Sequence, residues 1–194
     1  MTDQSKSPRL GYGQALSLGR VAVLATCALF AAAPVSRAAD VGMADLQAAA
    51  RSLGFVDSLQ NRPTISIGVV YGADVHDGRD QATRVAGMLA SMPGPSSSTL
   101  QANIVATDDL TKSNRRFDAL YLMPGTEASG NQIADFIRRQ HLVSISSDPA
   151  CLDGKYCVLM IQAGSAVNIV LDTALASAVN ARFSSVFTMM VKRR

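Results

Sequence analysis

The sequence predicts an α/β fold: a three-layer sandwich with a mostly parallel sheet and an antiparallel C-terminal hairpin. Three observations carry that expectation. Short β-branched runs, apolar almost throughout, alternate with segments of helical apolar spacing, the pattern of a sheet covered on both faces. Near the C-terminal end the pattern changes, and two apolar runs are joined by Ala163-Gly164-Ser165, a hairpin signal. No self-similarity at a period of about 20–50 residues suggests a repeat array.

The chain opens on a segment read as a targeting signal. Lys6, Arg9 and Arg20 give a positive start, Val21–Ala33 is an uncharged apolar run, and Ser36-Arg37-Ala38 places small residues before a cut after Ala38. The apolar run has 13 residues, short of the roughly 20 that cross a bilayer. Leu24-Ala25-Thr26-Cys27 resembles a lipid-attachment box only loosely, because Thr26 is a poor residue there. Residues 1–38 are therefore expected to be removed on export to the periplasm, leaving 39–194 as one domain. Four of the 18 basic residues and one of the 15 acidic residues lie in the signal, so the mature chain carries 14 of each. The full chain's +3 thus argues neither for nucleic acid nor for direct membrane binding.

In the mature chain, Leu46, Ala49, Ala50 and Leu53 mark one face of a helix expected over Gly42–Leu59, stopped by Asn61-Arg62-Pro63. Thr64–Tyr71 reads as a buried strand. Asp77 is placed to cap a helix from Gly78 to about Met92 with Ala82, Val85, Ala86 and Leu89 inward. After the Pro93–Ser98 loop come a strand at Leu100–Ala106, a polar turn or short helix at Asp108–Arg116, and a strand at Ala119–Met123. Ser129 with Gln132 fits a capping box for a helix ending near Gln140. Leu142–Ser146 is a fourth strand, and Tyr156–Gln162 with Ala166–Leu171 form the hairpin. Asp172 is placed to cap a helix carrying Leu175 and Val179; Phe183–Val191 is an apolar tail.

Candidate chemistry is sparse. Asp74, His76, Asp77 and Asp80 crowd one helix start, read as a solvated, capped terminus rather than a metal site. Gly72 and Gly78 follow the first strand without a phosphate-loop motif, though Arg79 could meet an anion. Ser146-Ser147-Asp148 lies close to His141 but has no nucleophile elbow, and His141 is read as a helix end. No catalytic residue, metal or cofactor is expected. The carboxyl ends of the strands, at Gly125, Thr126, Ser146, Ser147 and Asp148, suit a small polar ligand, or are plain turns. Met123, Met160, Met189 and Met190 are read as core. Cys151 and Cys157, close in sequence in an oxidising compartment, are expected to form a disulfide.

From Phe117 onward the chain resembles the YfiR-like family of small periplasmic proteins. The resemblance lies in Phe117-Asp118-Ala119-Leu120-Tyr121-Leu122, His141-Leu142-Val143-Ser144-Ile145-Ser146-Ser147-Asp148, and Cys151…Cys157-Val158-Leu159. It continues through the Ala166–Leu171 strand, an Ala-rich helix and Phe183-Ser184-Ser185-Val186-Phe187. The front half lacks the family's aromatic helix ending in Trp-Pro; Thr64–Gly72 looks more like the opening strand of a periplasmic substrate-binding lobe. The resemblance implies a non-enzymatic domain, whose best-known role is to hold an inner-membrane diguanylate cyclase inactive from the periplasmic side. The expected partner is thus an inner-membrane protein or a second copy, with Phe55 and the Phe187 tail as contacts, and membrane association only through the partner. The alternative is a single-lobe solute-binding protein or a transporter companion.

Overall fold

The computed structural model describes residues 41–112 and 115–194. The expected signal, its cut after Ala38 and Cys27 lie outside the described residues. Among the described residues, seven strands form one sheet in the order β2-β1-β3-β4-β5-β6-β7. They are β1 (Thr64–Tyr71), β2 (Thr99–Ala106), β3 (Ala119–Leu122), β4 (Val143–Ser146), β5 (Leu159–Ala163), β6 (Val167–Leu171) and β7 (Lys192–Arg193). Every neighbouring pair is parallel except β5 and β6, which form the antiparallel hairpin. The α/β sandwich is the one the sequence predicts.

The helices are α1 (Met43–Leu53), α2 (Gly78–Ser91), α3 (Thr107–Leu110), α4 (Gly130–Gln140), α5 (Ala150–Asp153), α6 (Thr173–Ala178) and α7 (Ser185–Met190). The β1-α2-β2 crossover steps one way along the sheet and β3-α4-β4 steps the other. Right-handed crossovers therefore put α2 and α4 on opposite faces. α1 packs beside α2 and over β5, completing that layer. The four residues of β3 and the four of β4 are all buried, as strands covered on both sides must be.

Several local expectations are corrected. The first helix ends at Leu53 rather than Leu59: Gly54 closes it, and Val56 leaves to bridge Phe183 in antiparallel fashion, before a 3-10 turn at Asp57–Leu59. Asp77 does not cap α2 with its side chain. Its backbone is left-handed (φ 58°), and its carboxylate pairs with His76 instead. Ser129 makes no capping box, because a 3-10 turn at Glu127–Ser129 precedes α4 and Ser129 is not extended; Gln132 instead donates to the Thr107 carbonyl. Asp172 does cap its helix, accepting from the Leu175 N–H at 2.8 Å. His141 ends α4 in the left-handed region, as expected of a helix terminus. Met123 and Met160 are core, but Met189 and Met190 are 78% and 64% exposed. They sit on α7, a six-residue helix beside the two-residue edge strand β7, where the sheet can bury only one side of it.

Candidate functional site

The parallel topology brings together the turns after β1, β3 and β4, so Gly125, Thr126, Ser146, Ser147 and Asp148 share one end of the sheet. The side chains of Thr126, Ser146 and Asp148 are engaged in building that end. Thr126 Oγ1 donates to the Met123 carbonyl at 3.0 Å and Ser146 Oγ to the Leu122 carbonyl at 2.9 Å. Ser146 Oγ also accepts from the Asp148 N–H, and an Asp148 carboxylate oxygen accepts from the Ala150 N–H. At the crevice between β1 and β3, where strand order reverses and such sheets receive ligands, the two turns and Val75 approach one another closely. A Cβ placed on Gly72 would lie 2.7 Å from both the Gly125 carbonyl oxygen and Val75 Cγ2, and one on Gly125 would lie 2.9 Å from the same methyl. Gly125 has φ +87°, a backbone state that glycine adopts without strain. The Val75 methyl therefore packs where a side chain at either glycine would stand.

Two residues here escape sequence reasoning. Tyr156 is buried against Gly130 and Gly154, whose missing side chains leave room for its ring; a Cβ on either would lie 2.7 or 2.4 Å from it. Glu127 sits beside Asp148. Burial, and then a hydrogen bond to the Asp148 carboxyl, raises the Glu127 pKa above the ordinary carboxylate range. Burial, and then the charges of Glu127 and Asp148, pushes the Tyr156 hydroxyl up as well. In sequence the one available signal was Gly154 close to a tyrosine between two cysteines. Cys151 and Cys157 are joined, with Cα atoms 5.4 Å apart and both residues fully buried. The bond pins the α5 turn to the start of β5.

Arg79 faces a polar hollow of about 390 Å³ beyond β1 and β2, lined also by Tyr71, Asp109 and Arg115. His76 and Asp77 pair at 2.9 Å on the exposed surface, and among the described residues no three His, Cys, Asp or Glu side chains converge on a metal position.

The other expected contacts, Phe55 and Phe187, are far apart in sequence and adjacent in space. Their rings stack at 4.9 Å between centroids, and Phe183 stacks on Phe187 at 5.3 Å. Phe187 is buried and Phe55 half-buried. Both line an apolar groove of about 340 Å³. Its one wall is α1, through Ala44, Ala48 and Ser52; its other wall is α7 and Val191; its floor is Val167 and Ile169 of β6. Val167 is 57% exposed and Met190, on the rim, 64%. These apolar side chains lie open to water within one concave surface, the kind of patch that marks interaction sites. The contribution of β6 was not legible because an apolar run such as Ala166–Leu171 does not show which of its side chains neighbouring helices leave uncovered.

No family model and no curated protein matches the chain. Solved structures do share its fold. One is described as the ABC domain in complex with L-Trp from Streptococcus pneumonia, with a TM-score of 0.53 and 11% identity over 78% of this chain and 60% of that one. Another is a conserved domain protein from Vibrio cholerae, with a TM-score of 0.53 and 12% identity over 78% of this chain and 59% of that one. A ligand-free, open substrate-binding protein with adhesive properties from Clostridium difficile aligns at a TM-score of 0.48 and 10% identity, over 67% and 54% of the two chains. This chain spans at most about three-fifths of the length of these structures.

Proposed function

We propose that this chain is a periplasmic, non-enzymatic module, exported by a cleaved signal, that works by docking on another protein. The observation that carries the reading is the open apolar groove walled by α1 and α7 and floored by β6. Interfaces need such a desolvated centre, with aromatic and methionine side chains around it. At the strand ends, the Thr126 and Ser146 hydroxyls are meanwhile engaged by main-chain carbonyls. The YfiR-like resemblance supplies the partner class, an inner-membrane signalling protein such as a diguanylate cyclase. Deleting the gene should raise cyclic-di-GMP and biofilm, and re-expression of the exported protein should restore both. Unchanged levels, with no membrane partner recovered by cross-linking, would remove the regulatory reading. N-terminal sequencing of the exported protein should begin after Ala38; a start at Met1 would overturn the localisation.

A single-lobe solute-binding role is the second reading, favoured by the fold likeness to a structure solved with L-Trp. Calorimetric titration of the exported protein with the common amino acids separates the two. Saturable binding of one of them supports the solute role, and its absence supports protein docking.

A further inference from the structure

We infer that the groove between α1 and α7 seats an amphipathic helix of the partner protein, with an apolar stripe in the trough and an acidic flank against Arg51. The inference rests on the docking reading above and adds the shape and charge of what docks. The shape follows from the walls. α1 has 11 residues, so the trough runs for about 16 Å, or roughly three helical turns. Over that length a helix presents anchors at i, i+4 and i+7. On the α1 wall Ala44, Ala48 and Ser52 succeed one another at helical spacing beside Gln47 and Arg51, and a row of small side chains lets two helix axes approach closely. The floor is a sheet face, Val167 and Ile169, while the β6 edge beside it is already taken by β7 at Val170 and Leu171. The opening is therefore a concave face between two helices rather than a free strand edge. The thioether of Met190 on the rim can adapt to the incoming side chains.

The sign of the flank follows from the charges. No carboxylate lines the groove, and its one charged lining residue is Arg51. Arg51 makes no ion pair among the described residues. Arg193 is in register with Leu171, so it shares the sheet face of Val167 and Ile169. The acid of α1, Asp45, is held by the N–H groups of Gly42 and Ala163. An apolar trough whose one charged lining residue is a cation selects a helix whose flank is acidic.

Two labelled three-turn peptides, sharing a Leu stripe and differing only in Glu or Lys flanks, test this against the exported protein by fluorescence anisotropy. The Glu-flanked peptide should bind about 10-fold more tightly than the Lys-flanked one, with the preference reversed by Arg51→Glu. Ala48→Phe, which fills the trough, should abolish binding of both. Met190→Glu, at an exposed rim position, keeps the fold and should weaken the Glu-flanked peptide more than the Lys-flanked one. Equal binding of both peptides, binding of neither, or indifference to Met190→Glu overturns the inference. So does binding to anionic phosphatidylglycerol vesicles that Met190→Glu removes, which would make the occupant a membrane. So too does a sedimenting dimer that Met190→Glu disperses, which would make it a second copy. Failure of these peptides leaves the docking role to be judged by membrane cross-linking, since a partner could be captured through another surface.

Discussion

Tyr121 shows how a single residue records a compromise between packing and polarity. It belongs to a strand buried on both faces, and its hydroxyl lies in the core beside Ser147 without a hydrogen bond of full geometry. Burial, more than any neighbour, pushes its pKa well above the usual phenol range. Removing an underpaired buried hydroxyl while keeping the ring relieves a desolvation cost, so Tyr121→Phe should raise stability by up to about 1 kcal/mol in urea unfolding. A loss of that size would show that the Ser147 contact outweighs the cost. Glu127 offers a second test at this scale. Its pKa is raised in the folded state, so the native protein holds its proton more tightly than the unfolded chain does. The associated stability is fully present below the unfolded value of about 4.3 and is lost as pH rises through the folded pKa. Glu127→Gln should flatten that decline and raise stability at neutral pH by no more than about 0.5 kcal/mol. A decline of equal slope in the variant would place its origin elsewhere.

At the scale of elements, the sequence made visible whatever is repeated along the chain. The stripe Leu46, Ala49, Ala50 and Leu53 identified α1 because burial of one face imposes a period, and the nearly continuous β-branched run of Ile65, Ile67, Val69 and Val70 identified β1 because both faces of that strand are covered. Helix ends were less legible. Asp77 and Ser129 are residues that cap helices, but backbone conformations set by the preceding turns deny their side chains the N–H groups. Short elements such as α5 and β7 are below the length at which any period shows. The tail was recognised as apolar, yet the division between buried Phe187 and exposed Met189 and Met190 depends on where α7 meets the sheet edge. Phe187→Ala should therefore cost about 3 kcal/mol as a core truncation. Met190→Ser should leave the melting transition within the range of ordinary surface changes, about 0.5 kcal/mol. Equal losses for the two would mean that both residues are core. The disulfide belongs to this scale as well. It closes a short loop between α5 and β5, and its reduction should lower stability by about 2 kcal/mol in the chain-entropy model. Intact mass with and without reductant checks the bond, and two free thiols in the exported protein would contradict it.

At the scale of the whole molecule, the order β2-β1-β3-β4-β5-β6-β7 separates two places where function could reside. One is the carboxyl end of the parallel strands, where Gly125, Thr126, Ser146 and Asp148 stand together but are committed to one another and to the main chain. The other is the far side of the hairpin, where α1 and α7 leave the β6 face uncovered between them. Sequence reasoning reached Phe55 and Phe187 as contacts but not the groove, because a groove is made by elements more than a hundred residues apart. The central claim is that a membrane protein docks there. A photo-cross-linking amino acid placed at Met190 in living cells tests it most directly, with Gln101 on the opposite edge strand as control. The account predicts one discrete membrane-protein adduct from position 190, none from position 101, and loss of the adduct when Arg51→Glu is added. Equal adducts from both positions, or none from position 190 in cells whose cyclic-di-GMP still depends on the gene, would contradict it.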